Sequence, residues 1–447
     1  MRIAWYTPLS VNSAIGRFSR LVVHALRGMG VEVQMVRSEA KPSAVRGNAS
    51  SRANENYVWA ADLQRNIAQH LRAYDLVVYN VGDHYDFHAY CFQHQPLVPG
   101  LTILHDYCLH HALHHYCVHS PGLMGPYRDR LAGECGDDAA AVFDQLQKSG
   151  HASAWWQQEI ARYPVYRWAI ADTLGVITHA NFYRQSVATS VGCPVVTIPL
   201  AYDTPSGVAP APDPKEQLTI ITVGAVNANK RHEAVIRALA ESPMLGRRCC
   251  YRIVGAASAA QQQAIASAVA SYSQAPQVTL VGQVTREVLR EELAAANIIS
   301  CLRYPALEGA SASVVEGLLS GRPVVACDTG CYQEIPDDLF FKVAPDDEHA
   351  QLTQALETIA DDYPAALGRA RAAKEWAARR HAPSAYAKQL LTFADRVLYN
   401  RPVLQLTDRI ASRLRSWNTQ PHPVLLQQVD QAMYDLFGRP GHQQGAA

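Results

Sequence analysis

The stretch Arg303-Tyr304-Pro305-Ala306-Leu307-Glu308-Gly309-Ala310-Ser311-Ala312-Ser313-Val314-Val315-Glu316, running on to Gly321-Arg322-Pro323-Val324-Val325-Ala326, decides how this chain is read. An apolar strand ends before it, a polar Gly/Ser loop follows, a helix begins, and another apolar strand comes after Gly-Arg-Pro. Two glutamates flank the loop with seven residues between them. The layout collects carboxylates and backbone N–H groups at the carboxyl end of a parallel sheet, where open α/β sheets bind ligands. The positive end of the new helix then faces a phosphate.

Working outward, short apolar runs alternate with helical patterns over most of the 447 residues. Strands are expected at 3–6, 31–36, 76–80, 101–104, 175–178, 195–198, 218–223, 251–254, 278–281, 298–302, 324–326 and 340–343. Between them lie segments with apolar residues at helical spacing, such as 18–29, 63–74 and 288–296. Strand–helix alternation of this length implies parallel sheets covered on both faces. The alternation breaks at 203–214, which carries four prolines and almost nothing to bury. The expected organisation is therefore an N-terminal Rossmann-like domain at 1–203, a linker at 204–216, a C-terminal Rossmann-like domain at 217–383 and helices at 384–447. Those helices are read as one from Ser384 to Tyr399 and another from Leu404 to Trp417, with a loose tail after Phe437.

Composition excludes several classes. Hydrophobic residues make up 48% and charged residues 18%, as in a globular enzyme. Lys+Arg and Asp+Glu are both 40, so there is no basic field for nucleic acid. The ten cysteines include no C-x-x-C pair and read as reduced thiols of a cytosolic protein. The first strand stops at Pro8, too early for a signal-peptide core. No apolar run reaches the roughly 18 residues of a membrane helix. The helix at 404–417 sets Arg409, Arg413 and Arg415 opposite Leu406, Ile410, Leu414 and Trp417; it suits peripheral contact with an anionic surface, or docking on the protein body.

No G-x-G-x-x-G follows the first strand and no P-loop is present, so the dinucleotide and NTPase readings lack their fingerprints. Gly16 stands just before an amphipathic helix and serves either a ligand or the turn. Ser313-Val314-Val315-Glu316 also fits a capping box, with Ser313 as N-cap and Glu316 satisfying helix-end amides. Glu308 has no such structural explanation, standing alone in a Gly/Ser loop. His110/His114 and His111/His115 are each four apart on one helix face. They suit a metal, an acceptor cleft or ordinary packing. Asp137-Asp138 reads as a helix start.

The segment 303–335 resembles the donor-binding signature of the family 4 retaining glycosyltransferases. It has a glutamate, a Gly/Ser loop, a second glutamate, then Gly-x-Pro-Val-Val and Gly330-Cys331-Tyr332-Gln333-Glu334. Val223-Gly224-Ala225-Val226-Asn227-Ala228-Asn229-Lys230-Arg231, Val281-Gly282-Gln283-Val284 with Leu289 and Leu293, and Leu104-His105-Asp106 resemble further family motifs in the family's order. The resemblance implies the GT-B fold, two facing doubly wound domains with C-terminal helices crossing back. It implies a nucleotide-sugar of UDP or GDP type as donor substrate, no cofactor, no metal and a saccharide or lipid-linked saccharide acceptor. Surface polysaccharide or glycoconjugate assembly, at the cytoplasmic side, is the expected setting.

Carried over by position, the resemblance gives catalytic roles to His105, Lys230 and Glu308. Gly16, Gly224, Asn227, Arg231, Gly282, Val284, Ala310, Ser311, Ala312 and Glu316 become donor-binding. His110, His111 and His114 become acceptor-binding. The position after the donor-domain glycine, arginine in many relatives, is Ala225 here, and Arg231 or local amides are expected to replace that cation. A sugar-nucleotide epimerase of the same fold and a non-catalytic binding module are the alternatives.

Overall fold

The protein is described by a computed structural model covering residues 1–10, 13–40, 56–63, 66–204, 217–417 and 423–437. The first half forms a seven-stranded parallel sheet, in the order β3-β2-β1-β4-β5-β6-β7. Its strands are β1 (Arg2–Thr7), β2 (Glu32–Arg37), β3 (Tyr57–Trp59), β4 (Leu76–Val81), β5 (Leu101–Leu104), β6 (Gly175–Thr178) and β7 (Val195–Thr197). The second half forms a six-stranded parallel sheet, in the order β10-β9-β8-β11-β12-β13. It contains β8 (Leu218–Val223), β9 (Cys249–Val254), β10 (Val278–Gly282), β11 (Ile298–Ser300), β12 (Val324–Cys327) and β13 (Phe341–Val343). Every expected strand is present. The edge strand β3 was not expected: three residues are too few to show alternation. The expected linker lies, from residue 205 onward, outside the described residues.

Each sheet reverses its strand order once, between β1 and β4 and between β8 and β11. Loops leaving the carboxyl ends of these neighbours splay to opposite faces and leave a crevice. In the first half, β4 is buried along its whole length, as a strand covered on both faces must be. The helix Ala14–Gly28 turns Phe18, Val22, Val23 and Leu26 onto the sheet. Each such burial contributes about 1.5–3 kcal/mol.

The two expected C-terminal helices are one continuous helix, Pro383–Ser416, with Pro402 inside it. The Asn400-Arg401-Pro402 sequence reads as a stop because proline removes one i→i−4 hydrogen bond. The helix runs through it because the preceding turns are clamped to the first half. Tyr386, Leu390, Phe393 and Val397 join the same core cluster as Phe18 and Val22. Gly175 makes this possible: a Cβ there would stand 2.7 Å from Val397 Cγ2 and 3.1 Å from Phe393 Cζ. The C-terminal helix thus braces the N-terminal sheet. Beyond Leu404, which still touches that core, Arg409 and Arg413 are exposed and Trp417 is 67% exposed. The Arg415 side chain lies outside the description. No helix among the described residues is long and apolar enough to cross a membrane.

The chain crosses between the halves twice, and the crossings are tied together. Tyr202 N donates to the His381 carbonyl at 2.8 Å. The His381 Nδ1 position is 2.7 Å from the Leu200 carbonyl.

Candidate active site

On the second half, β8 is followed by Gly224, whose φ of +97° disfavours any side chain. A short 3-10 turn, Ala228–Lys230, follows. It folds Lys230 back under the strand end, where the Nζ donates to the Val223 carbonyl at 2.8 Å. A Cβ on Gly224 would stand 2.6 Å from that Nζ, so the glycine is also needed for clearance. Lys230 is only 4% exposed. Burial first, then the positive charge of Arg303, pull its pKa down to about 7. Asn227 is exposed just ahead of the turn. Arg231, next in the chain after Lys230, is paired with a carboxylate. Its Nε and Nη2 fork onto Glu348 at 2.8 and 2.6 Å, a pairing the sequence does not reveal across 117 positions.

The loop from Arg303 to Ser311 continues the site. Tyr304 N donates to the Asn229 carbonyl at 2.8 Å, lashing this loop to the lysine turn. Glu308 Oε1 accepts the Tyr332 hydroxyl at 2.9 Å and lies 3.4 Å from Arg303 Nε. The capping-box expectation is corrected here. The helix Ala312–Ser320 starts two residues earlier, with Ser311 as N-cap, its Oγ accepting from Val314 N. Glu316 therefore sits in the second turn, too far along to cap the first amides, and is 3.9 Å from Arg17 Nη1 of the first half. Ala310 and Ala312 line the cleft. Gly282, at φ +83°, closes β10. It lines a separate cavity of ≈ 350 Å³ with Ala256, Leu280 and Gln283. Val284 packs behind it, in the core cluster shared with Leu289 and Leu293.

On the first half, His105 and Asp106 follow β5. The backbone there meets the Arg303–Ser311 loop directly. Asp106 and Glu308 form an antiparallel bridge, Gly309 N donates to the His105 carbonyl at 3.0 Å, and Cys108 N to the Leu307 carbonyl at 3.3 Å. The His105 ring is buried between Asn80 Oδ1 (3.0 Å from Nε2) and His179 Nε2 (3.1 Å from Nδ1). Burial and the two neighbouring imidazoles, His179 and His88, hold it well below the usual histidine pKa. Asp106 accepts from Asp83 N at 2.8 Å. Burial chiefly, then the nearby Asp83 and Glu308 carboxylates, raise it to about 7. Together Ser13, Arg17, Asp83, His105, Asp106 and Ala312 border an interdomain cavity of ≈ 310 Å³.

Gly16 belongs to the turn. It lies in the first turn of the helix capped by Ser13, and a Cβ there would stand 2.5 Å from the Pro8 carbonyl oxygen. The histidine run divides. His110 is fully buried, with Nδ1 2.7 Å from the Tyr127 hydroxyl and Nε2 2.6 Å from the Tyr163 carbonyl. Both ring nitrogens serve the core. His111 is half exposed and pairs with Asp83 at 2.6 Å, which raises its pKa. His114 packs edge-on against Tyr127 and Trp156. Asp137 and Asp138 do open a helix. Among the described residues, no three His, Cys, Asp or Glu side chains converge as metal ligands.

Residues 208–376 match the profile of the family described as "Glycosyl transferases group 1". The second half of the chain is thus similar to the group 1 glycosyltransferases. The chain matches no curated protein by sequence. Its fold is shared with solved structures at low identity. Anabaena HepE, in complex with UDP and glucose, has a TM-score of 0.59 at 14% identity, over 88% of this chain and 99% of its own. Sucrose-phosphate synthase from Thermosynechococcus elongatus has 0.59 at 16%, over 89% and 99%. WaaG, a glycosyltransferase involved in lipopolysaccharide biosynthesis, has 0.52 at 16%, over 88% and 99%. The fold of the chain is thus GT-B.

Several residues around the site carry no role in the sequence reading: Arg17, Asn80, Asp83, His179, Tyr332 and Arg303. Asn80 is the penultimate residue of an otherwise apolar strand and His179 directly follows one. In a parallel sheet a polar residue at that position faces the ligand edge, and that signal was available. Arg17 and Tyr332 had none, since a helix face and a 3-10 turn reach the site only through domain packing.

Proposed function

We propose that the cleft transfers a glycosyl unit, with retention, from a UDP-type nucleotide-sugar to a hydroxyl of a saccharide acceptor in surface glycoconjugate assembly. The observation that carries this reading is the backbone bridge from Asp106 to Glu308. It brings the His105-Asp106 corner of one half against the glutamate loop of the other, within electrostatic reach of Lys230. HepE, which shares the fold, is seen with UDP-glucose, and WaaG acts in lipopolysaccharide biosynthesis; these support the nucleotide and the setting.

In this mechanism the bond from the anomeric carbon to the diphosphate oxygen breaks as a bond to the acceptor oxygen forms on the same face. The acceptor proton passes to the departing phosphate oxygen. Positive charge grows on the sugar and negative charge on the phosphate. Lys230 takes up a proton as phosphate binds beside it, and the resulting cation stabilises the leaving group. The amides of Ala310, Ser311 and Ala312 add the positive end of a helix. Glu308 fixes donor-sugar hydroxyls, and Glu316 takes the ribose hydroxyls. His105, held on both ring nitrogens, forms a rigid wall of the sugar pocket. Asp83 and Asp106 face the cavity from the acceptor side, where carboxylates suit hydroxyl-rich ligands.

The deciding experiment is incubation with a panel of nucleotide-sugars, with and without oligosaccharide acceptors, followed by product mass and anomeric analysis by NMR. Acceptor-dependent product of retained configuration is expected. An altered sugar nucleotide formed without acceptor points instead to an epimerase. Tight donor binding with no product from any acceptor points to a binding module.

A further inference from the structure

Three basic side chains stand near the end of β8, and they are held very differently. Lys230 is buried against the Val223 carbonyl. Arg231 is forked onto Glu348 at 2.8 and 2.6 Å. Arg303 makes one long approach to Glu308, 3.4 Å from Nε to Oε1, and donates Nη1 to the adjacent Leu302 carbonyl at 3.1 Å. A forked pair at 2.6–2.8 Å holds its guanidinium firmly, whereas a single contact at 3.4 Å is beyond good hydrogen-bond length. The Arg303 side chain is nevertheless only 11% exposed, so it is held in place by its surroundings. Its position is set from both sides: Arg303 N donates to Cys327 Sγ at 3.3 Å, and Tyr304 N to the carbonyl of Asn229, next to Lys230.

A departing nucleoside diphosphate carries more negative charge than one buried lysine can offset. The residue after the β8 glycine is Ala225 and supplies no cation, and Arg231 is committed to Glu348. We infer that Arg303 is the second diphosphate-binding cation of this glycosyltransferase, reaching the phosphates from the β11 end of the loop and releasing Glu308 to the donor sugar as it does so. The planar guanidinium offers a two-pronged grip on phosphate oxygens that lysine lacks. The same arginine explains why the lysine is tuned: its charge is the largest after burial among those lowering the Lys230 pKa. Two cations placed this close repel each other until a polyanion lies between them.

The inference rests on the donor reading above, and the test separates the two. Binding of uridine, UMP and UDP to wild type, Arg303→Met and Arg303→Lys is measured by calorimetry, with thermal melting as a check of folding. Arg303→Met is expected to lose about 30-fold or more in UDP affinity, on the scale of one charged hydrogen-bond partner. Uridine affinity stays within about twofold of wild type, and Arg303→Lys recovers part of the loss. A second readout is the pH at which UDP affinity declines. The groups around the lysine amine are Arg303, Glu308, Cys301 and His232. Removing the arginine raises the lysine pKa, so the decline moves to higher pH in Arg303→Met. Equal losses for uridine and UDP, or no loss for UDP, overturn the inference while leaving the donor reading intact. If the wild type binds none of the three, and GDP in a parallel titration also fails to bind, the donor reading itself fails.

Discussion

Gly309 N donates to the His105 carbonyl at 3.0 Å, joining the donor loop of one half to the end of β5 in the other. Gly309 tolerates nothing larger. A Cβ there would lie 2.5 Å from the Tyr183 hydroxyl and 2.7 Å from the His105 carbonyl oxygen. Tyr183 is itself fixed, since it donates to the Leu104 carbonyl at 3.0 Å and accepts from His179 N at 2.8 Å. A second clasp lies nearby, where Glu334 accepts the backbone N–H groups of Asn181 and Phe182. The cleft is therefore held in register by main-chain hydrogen bonds as well as by side-chain packing.

Gly309→Ala should force this bridge apart. Turnover is expected to fall by about 10²-fold, the scale for a misplacement of roughly 1 Å. UDP affinity should change little, because the phosphate residues belong to one half. Steady-state kinetics beside calorimetric titration check the split; equal losses in both would refute it.

Glu308→Gln should keep the fold and lose the reaction. The residue is on a loop, so the melting temperature should stay within a few degrees. Loss of the carboxylate's hold on the sugar hydroxyls should lower kcat by about 10²–10³-fold. Wild-type turnover in this variant would remove Glu308 from the chemistry.

Donor affinity should fall as pH rises. The Lys230 pKa is lowered to about 7 by burial and by Arg303, so the cation is present below that pH and lost above it. UDP affinity measured between about pH 6.5 and 9 should weaken with increasing pH, and Lys230→Met should flatten the profile while lowering affinity throughout. An unchanged profile in that variant would assign the titration elsewhere.

Asp106 gives a stability signature of definite sign. Its pKa is raised to about 7 from 3.8, so between these values the folded protein binds more protons than the unfolded chain. This contribution is fully present at acid pH and is lost as pH rises through 7. Asp106→Asn, which keeps an oxygen to accept from Asp83 N, should raise the melting temperature at pH 8 and leave it nearly unchanged at pH 4. Because Asp106 borders the interdomain cavity, the gain is on the order of 1 kcal/mol. A melting temperature at pH 8 equal to or below wild type would contradict the assignment.

Arg322→Met should destabilise without touching the site. Arg322 is 2% exposed and donates to the carbonyls of Ala294, Ala296 and Ser320. Leaving these acceptors unpaired should cost about 2–4 kcal/mol, read in urea unfolding, with UDP affinity preserved in the folded fraction.

Twelve of the thirteen described strands were legible in the chain because a parallel strand buried on both faces is an unbroken apolar run. The donor loop was legible for a related reason. Polar residues and glycine directly after such a run mark the carboxyl edge of a sheet, whatever the sheet packs against. Glu308 stood out in this way, whereas Lys230 and His105 came from the family resemblance of their motifs.

What the linear pattern left ambiguous was who pairs with whom. The linear pattern puts the helix cap at Ser313, and only the backbone shows that the helix starts after Ser311. Arg231 and the local amides are equal candidates for a phosphate until Arg231 is seen forked onto Glu348. His110 and His111 are adjacent in sequence, yet one is locked in the core and the other pairs with Asp83. Local periodicity is set by neighbours three or four positions away, so the sequence by itself determined the elements and the edge of the sheet that carries chemistry. Charge pairing, burial and the bridge from Asp106 to Glu308 depend on residues up to about three hundred positions apart, as Arg17 and Glu316 are, and only the packing of one half against the other decided them.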